Sequence, residues 1–506
     1  MSRKLDTKEM ALSDQFPGET LASKLKKTGS AEGLLCPSLL TDTTPLIDKA
    51  DERKRTGDVI SPARAIMTLS KSMFNAGVFS LPYAWKMGGL WFSLIAQCVI
   101  AGLNWYGNHL LVRCSQKLAK MHEKPSLDYG HFTKKVFDNC GIPWLQRQSK
   151  SCMYVVNVSI LFYQLGLCSV AITFIARNLE DVVDALFHYE VPIELWLTAV
   201  LVVVLVTNMF TRLRTVSIFA FFSSLFFLAG AALVFYRCWT VPNRWEFLPA
   251  YGDLHSTIMF IGIVMYAYEG QTMILPIENK LEYPVEFLHY CGVLPTTMLL
   301  CSVLMTAMGF FGYTAYGGDT RETITINLPK NALFTGAIFC LVTQSLLGHS
   351  MYLYVVFDMF YNGFKRKINR RIPRTADYPV LVDKLFRSFW VFVTYAIALA
   401  VPELEILIPL VGVTAGTLCA MVYPPLFEMV LEWRRWRVEW SRWRFYRKVF
   451  FNCAFILVGL IAISLGVYAN SIAIYKTFAT RTITMQKKRP VLANSPLSGK
   501  YAVVET

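Results

Sequence analysis

The chain predicts an all-α membrane protein of about eleven transmembrane helices, and three features of the sequence point there. Windows of about 20 apolar residues recur along 506 residues, 54% of them hydrophobic with mean hydropathy +0.40, the length a hydrocarbon core demands. Two of those windows, the first and the sixth, are interrupted by Gly and Pro. The basic residues gather in the loops of one side.

The order along the chain follows. Residues 1–58 are a Ser/Thr/Lys/Glu-rich tail without helical periodicity, expected to be disordered and cytosolic. Within it Asp42-Thr43-Thr44-Pro45-Leu46-Ile47 has the form of an acidic dileucine sorting signal for an adaptor, or is a chance match. A transmembrane domain occupies 59–475, with spans near 63–85, 89–112, 151–176, 193–210, 215–237, 255–279, 290–316, 332–360, 381–401, 405–430 and 449–473. A second disordered tail is expected over 476–506. With the amino-terminus in the cytosol, the inward loops hold 24 Lys and Arg and the outward loops 5, which sets the orientation by the positive-inside rule. The net charge of +15 is therefore a matter of topology rather than of nucleic acid. The run from Trp433 to Lys448 that interleaves aromatics with Arg reads, between two spans, as an interfacial anchor.

The first span is broken at Ser72-Met73-Phe74-Asn75-Ala76-Gly77, ahead of Val78 and Pro82. If the helix restarts at Val78, its positive end faces the gap at Asn75-Ala76-Gly77, where unpaired N–H groups would hold a carboxylate. In the sixth span, Tyr268-Glu269-Gly270 lies mid-window and Pro276 follows. The half-helix ending near Tyr266-Ala267-Tyr268 would offer free carbonyls to an ammonium group. Two interrupted spans in corresponding positions of two halves are the sequence mark of a transporter site; the alternative is a pair of kinked structural helices. A carboxylate at the depth of Glu269 needs a partner, a proton or water. Glu269 is thus a proton site, a fixed acceptor stapling the unwound segment, or a paired structural acid. Ser72 and Asn75 either line the site or join helices.

Elsewhere, Lys71 reads as a counter-charge or a snorkelling residue. In the third span Asn157, Tyr163 and Gln164 are candidates to line a pathway. In the eighth, Ser345, Gly348, His349 and Tyr352 share one helical face; His349 is a second proton candidate or is bonded to a neighbouring helix, while Ser345 and Tyr352 are pathway candidates. Gly412 and Gly416 in the tenth span read as close helix packing. His109 and Arg113 read as interfacial. The twelve Cys include no C-x-x-C pair, so neither zinc nor a disulfide framework is indicated. No nucleophile–base pair, metal spacing or phosphate loop stands out, so an enzyme has little support. No cofactor is expected beyond protons as coupling ion.

Tyr266-Ala267-Tyr268-Glu269-Gly270 followed by Leu275-Pro276-Ile277-Glu278-Asn279-Lys280 resembles the sixth-span signature of the amino acid/auxin permease family, closest to the proton-coupled amino-acid transporters. Gly77-Val78-Phe79-Ser80-Leu81-Pro82 resembles the family's first-span ending, and His109-Leu110-Leu111-Val112-Arg113-Cys114 the end of its second span. The resemblance covers 60–475. It implies an eleven-span, leucine-transporter-type protein with two inverted five-span repeats and broken first and sixth helices. It also implies proton-linked symport of small neutral amino acids at a plasma or lysosomal membrane. Where the family has G-N-x-G-T-G, this chain has Ser72 to Gly77. Where some proton-coupled members carry a His one turn before the Lys matching Lys71, it has Thr68. The residues expected to hold substrate are Ser72, Asn75, Ala76, Gly77, Val78, Tyr266, Tyr268, Glu269 and Gly270. The alternatives are a vesicular exchanger of an amino-acid neurotransmitter and a membrane amino-acid sensor signalling through its amino-terminal tail.

Overall fold

The first broken helix appears as α1 (Pro62–Met73) and α2 (Gly77–Gly88), separated by three unwound residues. Pro62 opens α1 at a position where its missing N–H breaks no helical bond. Pro82 is accommodated inside α2. The computed structural model describes residues 59–122, 129–188, 191–209, 213–243 and 245–493; the Asp42–Ile47 motif lies outside them. Among the described residues the secondary structure is helical apart from an isolated bridge between Ile60 and Leu281.

After α3 (Leu90–His122), two short helices, α4 (Tyr129–Asp138) and α5 (Pro143–Arg147), lead into α6 (Ser149–Phe187). Then come α7 (Ile193–Asn208) and α8 (Leu213–Thr240). The sixth expected span is α9 (Leu254–Ala267) and α10 (Gln271–Glu278), again two helices with a gap. Asp253 caps α9, its carboxylate accepting from the N–H groups of His255 and Ser256 at 3.1 and 3.3 Å. Next are α11 (Val293–Tyr316), α12 (Ala332–Arg371) and α13 (Pro379–Ala400). The tenth span begins as α14 (Leu404–Val411), passes through π-helical turns at Gly412–Gly416 and Leu418–Val422, and resumes as α15 (Tyr423–Glu439). The last helix, α16 (Arg442–Ala493), continues beyond residue 475, where the sequence pattern places a tail boundary.

Eight helical segments are long and apolar enough to cross a bilayer, among the described residues. They coincide with the second, third, fifth to eighth, tenth and eleventh expected spans. The remaining three expected spans are the broken α1–α2, the 16-residue α7 and α13. Burial sorts centre from rim. The apolar window of Leu254–Glu278 is 83% buried and that of Arg442–Thr477 only 22%, so α9–α10 lie inside the bundle and α16 faces lipid. Phe450, Phe451, Leu457 and Ile461 of α16 are accordingly exposed, as hydrocarbon rather than water would have them.

Both broken helices are therefore interior. α2 packs on α9 and α11, α1 on α10 and α11, and α9 on α14 and the π turns. Small residues permit the closest of these contacts. A Cβ on Gly262 would stand 2.7 Å from the Pro409 carbonyl oxygen, and one on Gly412 would stand 2.1 Å from that of Gly262. Backbones approach here because neither residue carries a side chain, which is the packing role expected of Gly412.

Candidate functional site

The two gaps meet. A Cβ on Gly77, the first residue of α2, would fall 2.4 Å from Cδ1 of Tyr266, and one on Gly270 would fall 3.1 Å from Cε of Met73 and 3.3 Å from Oγ of Ser72. The side chain of Asn75 ties the gaps together. Its Oδ1 accepts from the Gly77 N–H at 2.8 Å, and its Nδ2 donates to the Tyr266 carbonyl at 3.2 Å. The helix restarts at Gly77, one residue before the expected Val78, because this side-chain oxygen takes the first free N–H of α2.

The carbonyl of Phe74, freed where α1 ends, accepts from Lys71 Nζ at 3.1 Å and Gln344 Nε2 at 2.6 Å. The ring of Phe74 stacks flat on Phe227 of α8, with centroids 4.1 Å apart and planes 5° apart. Lys71 is only 1% exposed. It does not snorkel; it is the counter-charge acting on Glu269. The second gap is pinned by Gln271. Its Oε1 accepts from the Gly270 N–H at 3.2 Å, and its Nε2 donates to the Tyr268 carbonyl at 3.1 Å and to Asn104 Oδ1 at 2.9 Å. Gln164 of α6 donates to Thr272 at 2.7 Å.

Against this well-bonded frame, Glu269 stands out. It is fully buried, and its carboxylate makes no close hydrogen bond, the Asn75 side chain being the donor that faces it. The Asn75 side chain and the Lys71 charge flank it, and the buried rings of Tyr163, Tyr266 and Tyr352 lie within its electrostatic reach. An ionised carboxylate held without donors costs on the order of several kcal/mol. Tyr352 Oη is likewise without a partner. Lys71 Nζ and Tyr352 Oη lie beside Gly348 of α12, 3.5 and 3.8 Å from where a Cβ would stand.

The expected site residues are thus distributed unevenly. Ser72, Asn75, Ala76, Val78, Tyr266 and Glu269 are all buried at the gaps, with Gly77 and Gly270 between them; Tyr268 is buried too, but its side chain lies by Gln97 of α3 and Ser302 of α11. Ser72 spends its hydroxyl on the Leu69 carbonyl at 2.7 Å. Tyr163 comes to the sixth span, its hydroxyl 3.4 Å from Gln271 Oε1. Ser345 reaches the site one step removed, donating to Gln344 Oε1 at 3.0 Å. His349 turns Nδ1 to Asn208 of α7 at 3.1 Å, the helix-to-helix bond that was its alternative reading. Asn157 faces away, toward Gly130 of α4. Gln344, Gln271 and Asn104 were not anticipated. Each is a carboxamide inside an apolar window, and that was the available signal.

On the side with few basic residues, a cavity of about 950 Å³ opens above α2, lined by Tyr83, Lys86, Arg177, Glu322, Glu403 and Glu405 among others. Tyr83 donates to Glu405 at 2.8 Å, Lys86 to the Thr320 carbonyl at 3.0 Å, and Arg177 to the Pro402 carbonyl at 3.2 Å. The first two bonds join the outer half of the first broken helix to α14 and to the loop after α11, and the third ties α6 to the residues before α14.

An interior bundle with two facing helix breaks, wrapped in lipid-facing helices, defines a multi-pass membrane transporter rather than an enzyme. Residues 58–472 match the family described as transmembrane amino acid transporter protein, and the chain belongs to that family. It is 53% identical over 429 residues, 84% of this chain and 92% of the relative, to a probable amino acid transporter, skat-1, of Caenorhabditis elegans. It is 22% identical over 371 residues, 72% of this chain and 76% of the relative, to a proton-coupled amino acid transporter-like protein, pathetic, of Drosophila melanogaster.

Proposed function

We propose that this amino acid transporter moves small neutral amino acids by proton symport, holding the zwitterion between the two helix breaks and taking the proton on Glu269. The observation that carries the reading is the buried, unpartnered carboxylate of Glu269 beside the two joined helix ends. Such a group sits in an apolar interior most cheaply when it binds and releases a proton or a cationic group. Lys71 and Glu269 together add no net charge to the site, which suits a zwitterion better than a cation or an anion. The buried rings of Tyr163, Tyr266 and Tyr352 favour small side chains. The fold implied is eleven spans in two inverted five-span repeats. The fly relative's name, proton-coupled, agrees with the ion chosen. The membrane is lysosomal or plasma, with the Asp42–Ile47 motif as the adaptor address.

A difference of two pH units is worth about 2.7 kcal/mol per proton, about a hundredfold accumulation at one-to-one coupling. The test is flux of labelled Gly, Ala, Pro and larger amino acids into proteoliposomes, with and without an imposed pH difference. Accumulation of the small neutral set that collapses with the pH difference is expected. Uptake indifferent to pH removes the proton, and no uptake of any neutral amino acid removes the reading.

A further inference from the structure

At the junction of the two breaks the chain uses the same pair of backbone groups that a zwitterion would use. The positive end of α2 presents the Gly77 N–H, and the carboxyl-terminal end of α9 presents the Tyr266 carbonyl. The carboxamide of Asn75 fills both, its oxygen on the first at 2.8 Å and its nitrogen on the second at 3.2 Å. A carboxamide is a neutral miniature of an α-amino acid head. It sets one acceptor and one donor side by side, as the carboxylate and ammonium do. The Tyr266 carbonyl also accepts from the Glu269 N–H at 3.1 Å, and the freed carbonyl of Phe74 has two side-chain donors of its own.

We propose that Asn75 is an internal competitor of the substrate: the amino acid's carboxylate and ammonium displace its carboxamide from Gly77 and Tyr266, and that displacement selects for molecules carrying both groups. This rests on the substrate position proposed above and goes beyond it. A zwitterion restores both hydrogen bonds, each now charge-assisted and so stronger than the neutral bond it replaces. A simple amine restores only the bond to Tyr266 and leaves the Gly77 N–H buried and unpaired, which is penalised; a simple carboxylate restores only the bond to Gly77 and leaves the Tyr266 carbonyl with the Glu269 N–H alone, at 3.1 Å. The residue therefore trades affinity for selectivity. The released carboxamide has somewhere to go, because the Glu269 carboxylate already faces it and makes no close hydrogen bond of its own. Had Asn75 served only to join helices, nothing would require its two bonds to fall on one donor and one acceptor at opposed helix ends.

The experiment is equilibrium binding of labelled alanine to purified protein in nanodiscs, with ethylamine and propionate as competitors. Wild type and the Asn75→Ala and Asn75→Ser variants are compared. Two net hydrogen bonds no longer displaced should tighten alanine binding in Asn75→Ala by about 5- to 100-fold. They should also narrow its preference for alanine over the two single-charge analogues. Asn75→Ser keeps a hydroxyl for Gly77 but falls short of Tyr266, so it should lie between, and it carries the test if Asn75→Ala does not fold. In the variants the melting temperature without amino acid should fall, and the shift on adding alanine should grow. Weaker or unchanged alanine binding in both variants overturns the inference, since Asn75 would then contact the substrate or ignore it. Wild type that binds no alanine overturns the substrate position itself, a separate result.

Discussion

At the scale of single residues, Gly77 and Glu269 are asked for opposite things, closeness and vacancy. Gly77 admits the ring of Tyr266 because it has no side chain; the 2.4 Å a Cβ would leave is far inside contact distance. Gly77→Ala should therefore lower flux at least tenfold while surface biotinylation shows normal insertion; undiminished flux would detach this contact from transport. Glu269→Gln removes the ionisable oxygen at nearly constant volume. In proteoliposomes it should abolish pH-driven accumulation yet leave exchange of internal for external amino acid, because the backbone groups that would hold the zwitterion are untouched. Accumulation that still follows the pH difference would move the proton elsewhere. Both residues are legible in the chain itself, since a Gly and an acid interrupt apolar windows. The carboxamides that complete the frame are not. Gln344 matters because it reaches the Phe74 carbonyl, 270 residues away in sequence, and no local pattern encodes that meeting.

At the scale of elements, the breaks are local events and the sequence carries them well. The first gap was expected at Asn75–Gly77 and spans residues 74–76; α9 ends at Ala267, inside the expected Tyr266–Tyr268. The π turns of the tenth span could not be foreseen in the same way. A π turn is held by its surroundings, here the backbone of Gly262 pressed on Gly412. The extension of α16 to Ala493 likewise has no apolar pattern to announce it. A further element-level link joins the ends of the broken helices on the basic-rich side. Just before α1, the Ile60 N–H donates to the Lys280 carbonyl at 2.8 Å, and the Glu282 N–H, just after α10, donates to the Ile60 carbonyl at 3.1 Å. If transport parts these ends, a disulfide from the paired substitutions Ile60→Cys and Leu281→Cys should stop net flux under oxidation and release it under reduction. Full flux in a cross-linked sample, with the wild type oxidised alongside, would mean that α1 and α10 travel together.

At the scale of the molecule, hydrogen bonds around the charged cavity above α2 tie the bundle together on its basic-poor side, and the charges there make stability depend on pH. Glu322 lies in the loop after α11. Burial pushes its carboxyl above the ordinary range, Arg177 pulls it down, and Glu405 and Glu403 push it up again. Its other neighbours at the cavity, Lys86 and Tyr83, are held by the Thr320 carbonyl and Glu405. With the folded pKa raised, the folded chain keeps this proton where the unfolded chain, near the usual value of about 4.3, has lost it. The folded state then binds more protons, so this residue's contribution to stability falls as pH rises through the interval above that value. Where it is ionised, Glu322 is a destabilising group within a network that otherwise seals the outer half of the first broken helix. Glu322→Gln removes the charge but not the volume. It should raise the melting temperature at pH 7, by on the order of 1 °C in a chain of this size. At pH 4 it should leave the melting temperature nearly unchanged, flattening the curve between. A variant that melts lower at pH 7 would show that the pull of Arg177 outweighs burial and the two neighbouring acids, and that the charge of Glu322 holds the cavity rather than straining it.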